Sequence, residues 1–263
     1  MRYQWEGSRK SISSLSMARY AHDEVMPYQN SSLDKKVQVA NMFNSIAHRY
    51  DFMNRFLSVG IDIQWRKRAI NELKKMAPKK ILDVATGTGD VAILTHRILT
   101  PEKITGIDIS EGMLELGRNK IQNLGLTSQI VLQKGDSEEI PYENNSFDAI
   151  TVAFGVRNFQ NLEKGMQEMF RVLQPGGKLV VLEFSKADPW VLSVFLGFYM
   201  NVITPAIGKL FAKNKDAYQY LNDSVQAFPE GETFLTIMHE AGFTQTYLKK
   251  LSFGICTIYC GSK

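Results

Sequence analysis

The sequence predicts an α/β protein organised on a mainly parallel sheet with crossover helices. Two observations carry this. From Ile81 to Leu182, short apolar runs alternate with segments of helical period. A glycine-rich loop, Asp83-Val84-Ala85-Thr86-Gly87-Thr88-Gly89-Asp90, directly follows the first run and opens a helical pattern. The chain of 263 residues suffices for one large domain with a small appendage.

Residues 1–34 are polar and serine-rich, with Arg2, Arg9, Lys10 and Arg19. No apolar stretch follows these basic residues, so the segment does not read as a secretory signal. It reads as a disordered extension or as an early start upstream of Met17 or Met26. An organelle transit peptide is the weaker alternative, suggested by its arginines, its serines and Glu6 as the one acid before Asp23.

Residues 35–263 are expected to form a single domain. A helical cap spans 35–78, with Val37, Val39, Met42, Phe43 and Ile46 at helical spacing and a second amphipathic run from Ile63. Pro78 ends it. Strands are expected at Ile81–Ala85, Ile104–Asp108, Ile130–Gln133, Phe147–Val152 and Leu179–Leu182, with helices at Val91–Leu99, Gly112–Leu124 and Leu162–Leu173. Pro175-Gly176-Gly177 reads as a turn feeding the fifth strand. An apolar insert occupies 187–229, and Trp190 to Gly208 carries no formal charge. Packed core helices and a greasy lid over an apolar substrate are both open readings. A membrane span is not favoured, because Asn201, Thr204, Pro205 and several glycines interrupt the run. Glu230–Ala241 is a further helix, closed by Gly242. Tyr247–Leu251 and Ile255–Cys260 read as a closing strand pair.

Composition narrows the function. Hydrophobic residues at 44% and charged residues at 22% are those of an ordinary globular protein. The net charge of +4 comes without a Lys/Arg block, so nothing argues for nucleic acid. Cys256 and Cys260 on one strand would stand about 13 Å apart at ~3.3 Å per residue. A disulfide needs about 7 Å or less, so both read as free thiols suited to a reducing cytoplasm. No Cys/His cluster has metal-ligand spacing, and no metal is expected.

The glycine loop alone is ambiguous. Gly87-x-Gly89-x-x-Ala92 also fits a dinucleotide fingerprint. A pyrophosphate would rest on the helix N-terminus, where Asp90 sits, with Asp83 ending the strand before it. Two carboxylates there suit a ligand that is cationic and free of phosphate, such as S-adenosylmethionine. Asp108 ends the second strand and can accept two hydrogen bonds from a ribose diol. Asp136 and Ser137 follow the third strand, where a carboxylate and backbone groups would meet an adenine. Ligands of open parallel sheets bind beyond the carboxyl ends of the strands. The end of the fourth strand, Ala153-Phe154-Gly155-Val156-Arg157-Asn158, lacks the Asn/Asp-Pro-Pro-Tyr/Phe motif of base N-methylation and has no cysteine for covalent catalysis. A small-molecule acceptor is expected.

Three segments resemble the UbiE/COQ5 family, the C-methyltransferases of menaquinone and ubiquinone biosynthesis. They are Tyr50-Asp51-Phe52-Met53-Asn54-Arg55-Phe56-Leu57-Ser58-Val59-Gly60-Ile61 with Trp65-Arg66, then Phe154–Asn158, then Arg171–Leu179 running on to Lys186. The resemblance extends from about Val37 to the C-terminus. It implies the class I S-adenosylmethionine-dependent methyltransferase fold: a Rossmann-like seven-stranded sheet whose last strand is antiparallel. It implies methyl transfer to a ring carbon of a polyprenylated hydroquinone, with cofactor contacts at Gly87, Thr88, Asp108, Asp136 and Ser137. Two departures stand out. Ala153 replaces a serine that contacts the cofactor in many members, and Ser137 replaces a common alanine, so the contact at 137 is expected through the backbone.

Under this resemblance Arg157 would stabilise a phenolate as a permanent cation, and Asn158 would orient its oxygen. Tyr50 and Asp51 would close over the acceptor. Structural roles are the alternative: a salt bridge for Arg157, packing and capping for the other two. Demethylmenaquinol is favoured over the benzoquinol of ubiquinone synthesis, because the N-terminal segment is a poor transit peptide and the length suits a bacterial chain. The expected location is the cytoplasm, with the quinol itself and the inner face of the cell membrane as partners, and a homodimer is compatible with both. Two other classes are weaker. Asp90 opposes an NAD-dependent oxidoreductase, and the intact loop opposes a non-catalytic lipid-binding scaffold.

Overall fold

A computed structural model describes residues 20–28, 31–58, 60–186 and 215–263. The expectations for residues 1–19 and for the larger part of the apolar insert, 187–214, lie outside the described residues.

The cap is two helices, α1 (Lys35–Leu57) and α2 (Ile61–Asn71). They part at Gly60, whose φ of +77° is left-handed. Next come β1 (Lys80–Val84), α3 (Asp90–Leu99), β2 (Lys103–Asp108), α4 (Glu111–Asn123), β3 (Ile130–Lys134), β4 (Phe147–Ala153), α5 (Leu162–Val172) and β5 (Leu173–Phe184). The described end of the insert is α6 (Lys215–Ala227), and α7 (Glu232–Glu240), β6 (Thr244–Leu251) and β7 (Cys256–Ser262) follow it.

The described strands form one seven-stranded sheet in the order β3-β2-β1-β4-β5-β7-β6. β1 to β5 are mutually parallel, and β7 runs antiparallel between β5 and β6. The antiparallel last strand is therefore as expected. From β1 the chain adds β2 and β3 on one side and β4 and β5 on the other, and this change in strand order makes the switch point at which such sheets bind ligands.

Alternation along the strands builds two cores. Leu82 and Val84 face Met166 and Met169 of α5 and Phe234 and Ile237 of α7 on one side of the sheet. Ile81 faces the other side, with Trp65 and Ala69 of α2, Ala92 of α3 and Leu114 of α4. Cys256 and Cys260 are free and buried in this second core.

One expectation is corrected. Pro175-Gly176-Gly177 does not precede the fifth strand but lies within it, as a bulge. Phe147 pairs with Leu173 and Ala149 with Lys178, so four residues loop out against one. Gly176, at φ +80°, donates its N–H to Lys263 O at 2.8 Å, and Lys263 donates back to Gly177 O at 3.1 Å. The described structure also includes residues before 35. A 3-10 turn at Ala21–Glu24 buries His22 completely, and buried Lys35 reaches back to the His22 carbonyl. Removal from water lowers the His22 imidazole to about 3 and the Lys35 ammonium to about 8.

Candidate active site

A cavity of about 940 Å3, counted out to its open mouth, lies at the carboxyl ends of β1 to β4 and under α1. At its floor lies Asp83, the penultimate residue of β1, buried. Its Oδ2 accepts from Thr86 Oγ1 and its Oδ1 from Thr151 Oγ1, both at 2.6 Å. Burial outweighs these two donors and raises the carboxyl to about 6. Asp83 is thus committed to fixing the loop, not aimed at a ligand.

The loop itself needs glycine. Gly87 at φ +55° and Gly89 at φ +75° turn the backbone back over β2. Gly87 donates its N–H to Asp108 Oδ2 at 2.8 Å, and Ser110 donates to Asp108 Oδ1 at 2.8 Å. Loss of water raises the Asp108 carboxyl, and these backbone donors oppose the rise. The approach is close from behind as well. A side chain at Gly117 of α4 would meet the Thr88 carbonyl carbon at 3.0 Å.

Thr88, Asp136, Ser137 and Asn158 line the same cavity as Gly87 and Asp108. The sequence-derived cofactor positions therefore converge in space. Asn158 donates weakly to Phe154 O at 3.4 Å, and its buried Oδ1 has no hydrogen-bond partner.

Two expectations change here. Asp90 is not an isolated carboxylate. It meets Lys120 at 2.8 Å, Arg66 at 3.1 Å and Arg55 at 3.6 Å, and against the effect of burial these cations hold its carboxyl low. Its opposition to a pyrophosphate is correspondingly reduced. Arg157 does not line the cavity. It is buried behind the wall, where its Nη1 donates to Glu183 Oε1 at 2.5 Å and to Phe154 O at 2.8 Å. Its guanidinium also lies 5.4 Å from the centre of the Phe184 ring. Burial raises the Glu183 carboxyl and Arg157 opposes the rise. A direct hold on a substrate oxygen is not available to a guanidinium so placed.

Sequence reasoning missed what α1 contributes besides Tyr50 and Asp51. Lys36 pairs with Asp136 and with Glu138. Burial lowers its ammonium, but the hydrogen bonds to both carboxylates prevail and hold it high. Asn44 Oδ1 accepts from Ser110 Oγ at 2.8 Å and from the Gly112 N–H at 2.9 Å. Asp51 accepts from Thr88 Oγ1 at 2.6 Å and pairs with Lys120. Thus α1 ties down the loops after β3, β2 and β1 in turn. The signal was the spacing of 36, 44 and 51, near two helical turns each time. Also unforeseen is Phe154, which stacks on Phe184 at 4.5 Å with its backbone held at φ +60°.

The donor set fits S-adenosylmethionine. Asp108 offers two carboxylate oxygens to a diol, and the cationic side chains lining the cavity, Lys36 and Arg66, are already paired with carboxylates. That leaves room for a cationic ligand and little for phosphate.

Comparison with known proteins agrees. A SAM-dependent methyltransferase structure from Thermotoga maritima superposes with a TM-score of 0.59 at 21% identity, over 85% of this chain and 99% of that one. One from Aquifex aeolicus gives 0.51 at 19%, over 73% and 88%. At such identities the likeness establishes the class I methyltransferase fold. Among sequence relatives, a demethylmenaquinone methyltransferase of Bacteroides fragilis is 45% identical over 93% of this chain and 99% of its own length. A ubiquinone/menaquinone biosynthesis C-methyltransferase of Geotalea daltonii is 44% identical over 88% and 98%. The model of the ubiE/COQ5 methyltransferase family matches residues 30–263. With its fold, its cavity and its sequence in agreement, this chain belongs to the ubiE/COQ5 methyltransferase family.

Proposed function

We propose that this enzyme methylates a ring carbon of demethylmenaquinol, using S-adenosylmethionine, to give menaquinol. The observation that carries the acceptor is the near end-to-end match to the Bacteroides fragilis demethylmenaquinone methyltransferase. The Geotalea daltonii relative, whose name covers both quinones, favours one second reading: the methoxy-polyprenyl-benzoquinol of ubiquinone synthesis.

The chemistry asks for few groups. Bound S-adenosylmethionine supplies a methyl group on a sulfonium, ready for in-line displacement. A ring carbon becomes a good nucleophile when the hydroxyl beside it loses its proton, and a free phenol has a pKa of about 10. The chain's main contribution is placement of the two reactants. We assign Gly87, Thr88, Asp108, Asp136 and Ser137 to the cofactor. Asn158, with its unpartnered Oδ1 at the cavity wall, orients the acceptor hydroxyl. Tyr50 and Asp51 cover the acceptor from α1. Arg157 becomes a positioning residue, holding Phe154 O and so the turn that presents Asn158.

The same reading places the enzyme in the cytoplasm in peripheral contact with the membrane that holds its lipid acceptor. Among the described residues no helix is long and apolar enough to cross a membrane. A homodimer is compatible with this arrangement, and sedimentation of the full chain measures it. The deciding experiment offers labelled S-adenosylmethionine with demethylmenaquinol and the benzoquinol side by side. Label is expected in menaquinol. Label only in the benzoquinol product favours the second reading, and label in neither lipid overturns both.

A further inference from the structure

Among the described residues, the most exposed large apolar side chain is Phe253, at 72%. It sits in the turn between β6 and β7, where Ser252, Phe253 and Gly254 have φ of 45°, 56° and 89°. Left-handed backbone is unfavourable for a bulky residue. Yet the turn is anchored: Trp65 Nε1 donates to Ser252 Oγ at 2.8 Å, and the Ile255 N–H to Ser252 O at 3.3 Å. An aromatic ring is thus held out in solvent on a strained, fixed support, an arrangement that points to function.

Topology places this turn. Cys256 pairs with Phe184 at the carboxyl end of β5, so the turn lies beyond the sheet edge that also carries the cavity. The start of α2 lies there too, because α2 runs back toward the first residue of β1 and its Trp65 is the anchor. Ile61, the first residue of α2, is 39% exposed. Phe52, next to the cavity-lining Asp51, is 59% exposed.

Charge distinguishes this edge further. Every exposed charged residue described between 48 and 68 is basic: Arg49, Arg55, Lys67 and Arg68. The two acids of the stretch point inward. Asp51 serves Thr88 and Lys120, and Asp62 serves Ser58 and Arg66. Lys186, at the exit of β5, adds one more exposed cation.

We propose that the Phe253 turn, Phe52 and the start of α2 form the face by which the molecule docks on an anionic bilayer surface. Phe253 enters the acyl boundary and the arginines and lysines meet lipid phosphates. The choice of a bilayer as partner rests on the acceptor reading above, since a polyprenyl quinol is held there. The placement brings the cavity mouth to the side from which such an acceptor arrives.

Co-sedimentation of the full chain with vesicles tests this. Vesicles of equal parts phosphatidylglycerol and phosphatidylcholine should bind it about tenfold or more better than phosphatidylcholine alone. Phe253→Asn should weaken that binding about fivefold. Asparagine accepts left-handed backbone readily, so a thermal midpoint at or above the parent's shows the fold intact. Lys67→Glu with Arg68→Glu should erase the preference for anionic lipid. Equal binding by Phe253→Asn and the parent overturns the proposal, as does binding indifferent to lipid charge. A parent that is dimeric while Phe253→Asn is monomeric also overturns it, in favour of a contact between copies. None of these measurements uses the quinol. Vesicle binding without methylation of any quinol would sink the acceptor reading and leave the docking face standing.

Discussion

A carboxyl sealed between two threonines has a measurable signature at Asp83. Its proton is held more tightly in the fold than in the open chain, because burial raises it to about 6. The unfolded carboxyl titrates near its ordinary value of 3.8. The stability it contributes is therefore full below the unfolded value and lost as pH rises toward 6. Asp83→Asn should remove that loss. The variant should be the less stable protein at pH 4 and gain on the parent by about 2 kcal/mol between pH 4 and 7. Urea unfolding at a series of pH values reads the difference, and a constant gap would show that Asp83 is ionised throughout. Arg157 and Glu183 make a second prediction at this scale. Arg157→Ala leaves a buried carboxyl without its partner and should cost about 3–5 kcal/mol of stability. Replacing both by methionine should recover most of that, while turnover stays low and cofactor affinity stays near normal. A double variant with normal turnover would remove Arg157 from any positioning role. The sequence could suggest a salt bridge for Arg157 but not its partner, because Arg157 lies in the turn after β4 and Glu183 on β5.

At the scale of the element, α1 is the least expected contributor. Its contacts join residues 37 to 102 positions apart in the chain, and periodicity reports only which face is apolar. Strand ends were legible for the opposite reason. Asp108 and Asp136 follow short apolar-rich runs, and in a parallel sheet those ends share an edge. The bulge in β5 was not legible, since Pro175-Gly176-Gly177 has the composition of a turn whether the chain turns or merely bulges. Asn44 tests the role of α1 because it touches the Ser110 turn that fixes Asp108 without lining the cavity itself. Asn44→Ala should weaken S-adenosylhomocysteine binding about fivefold, the worth of about one hydrogen bond. Calorimetric titration gives the answer, and an unchanged affinity would confine the site to the sheet loops. At Gly60 the cost is purely conformational, since no atom lies within 4 Å of where a Cβ would stand. Gly60→Ala should lower stability by about 1–2 kcal/mol, read as a shifted urea midpoint with an unchanged slope.

For the molecule as a whole, cofactor binding and stability are one equilibrium. The cavity is walled on one side by loops of the rigid sheet and on the other by α1. A ligand that bridges the two must stabilise both, in proportion to its occupancy. At about 100 times its dissociation constant, S-adenosylhomocysteine should add about 2.7 kcal/mol to the unfolding free energy. The gain should be unevenly distributed at sub-global openings, where amide exchange reports local stability. Slowed exchange is expected in α1 and in the loops at 85–90 and 108–112. β6 and β7, on the far side of β5, should change only through the global term. Asp108→Ala should abolish both the gain in stability and the protection, because it removes the acceptor of the Gly87 and Ser110 N–H groups. Protection in the loops alone, with α1 exchanging as in the free protein, would mean that α1 covers the cavity without joining in the binding. Protection that spreads from the loops into α1 would identify the cap as part of the cofactor site.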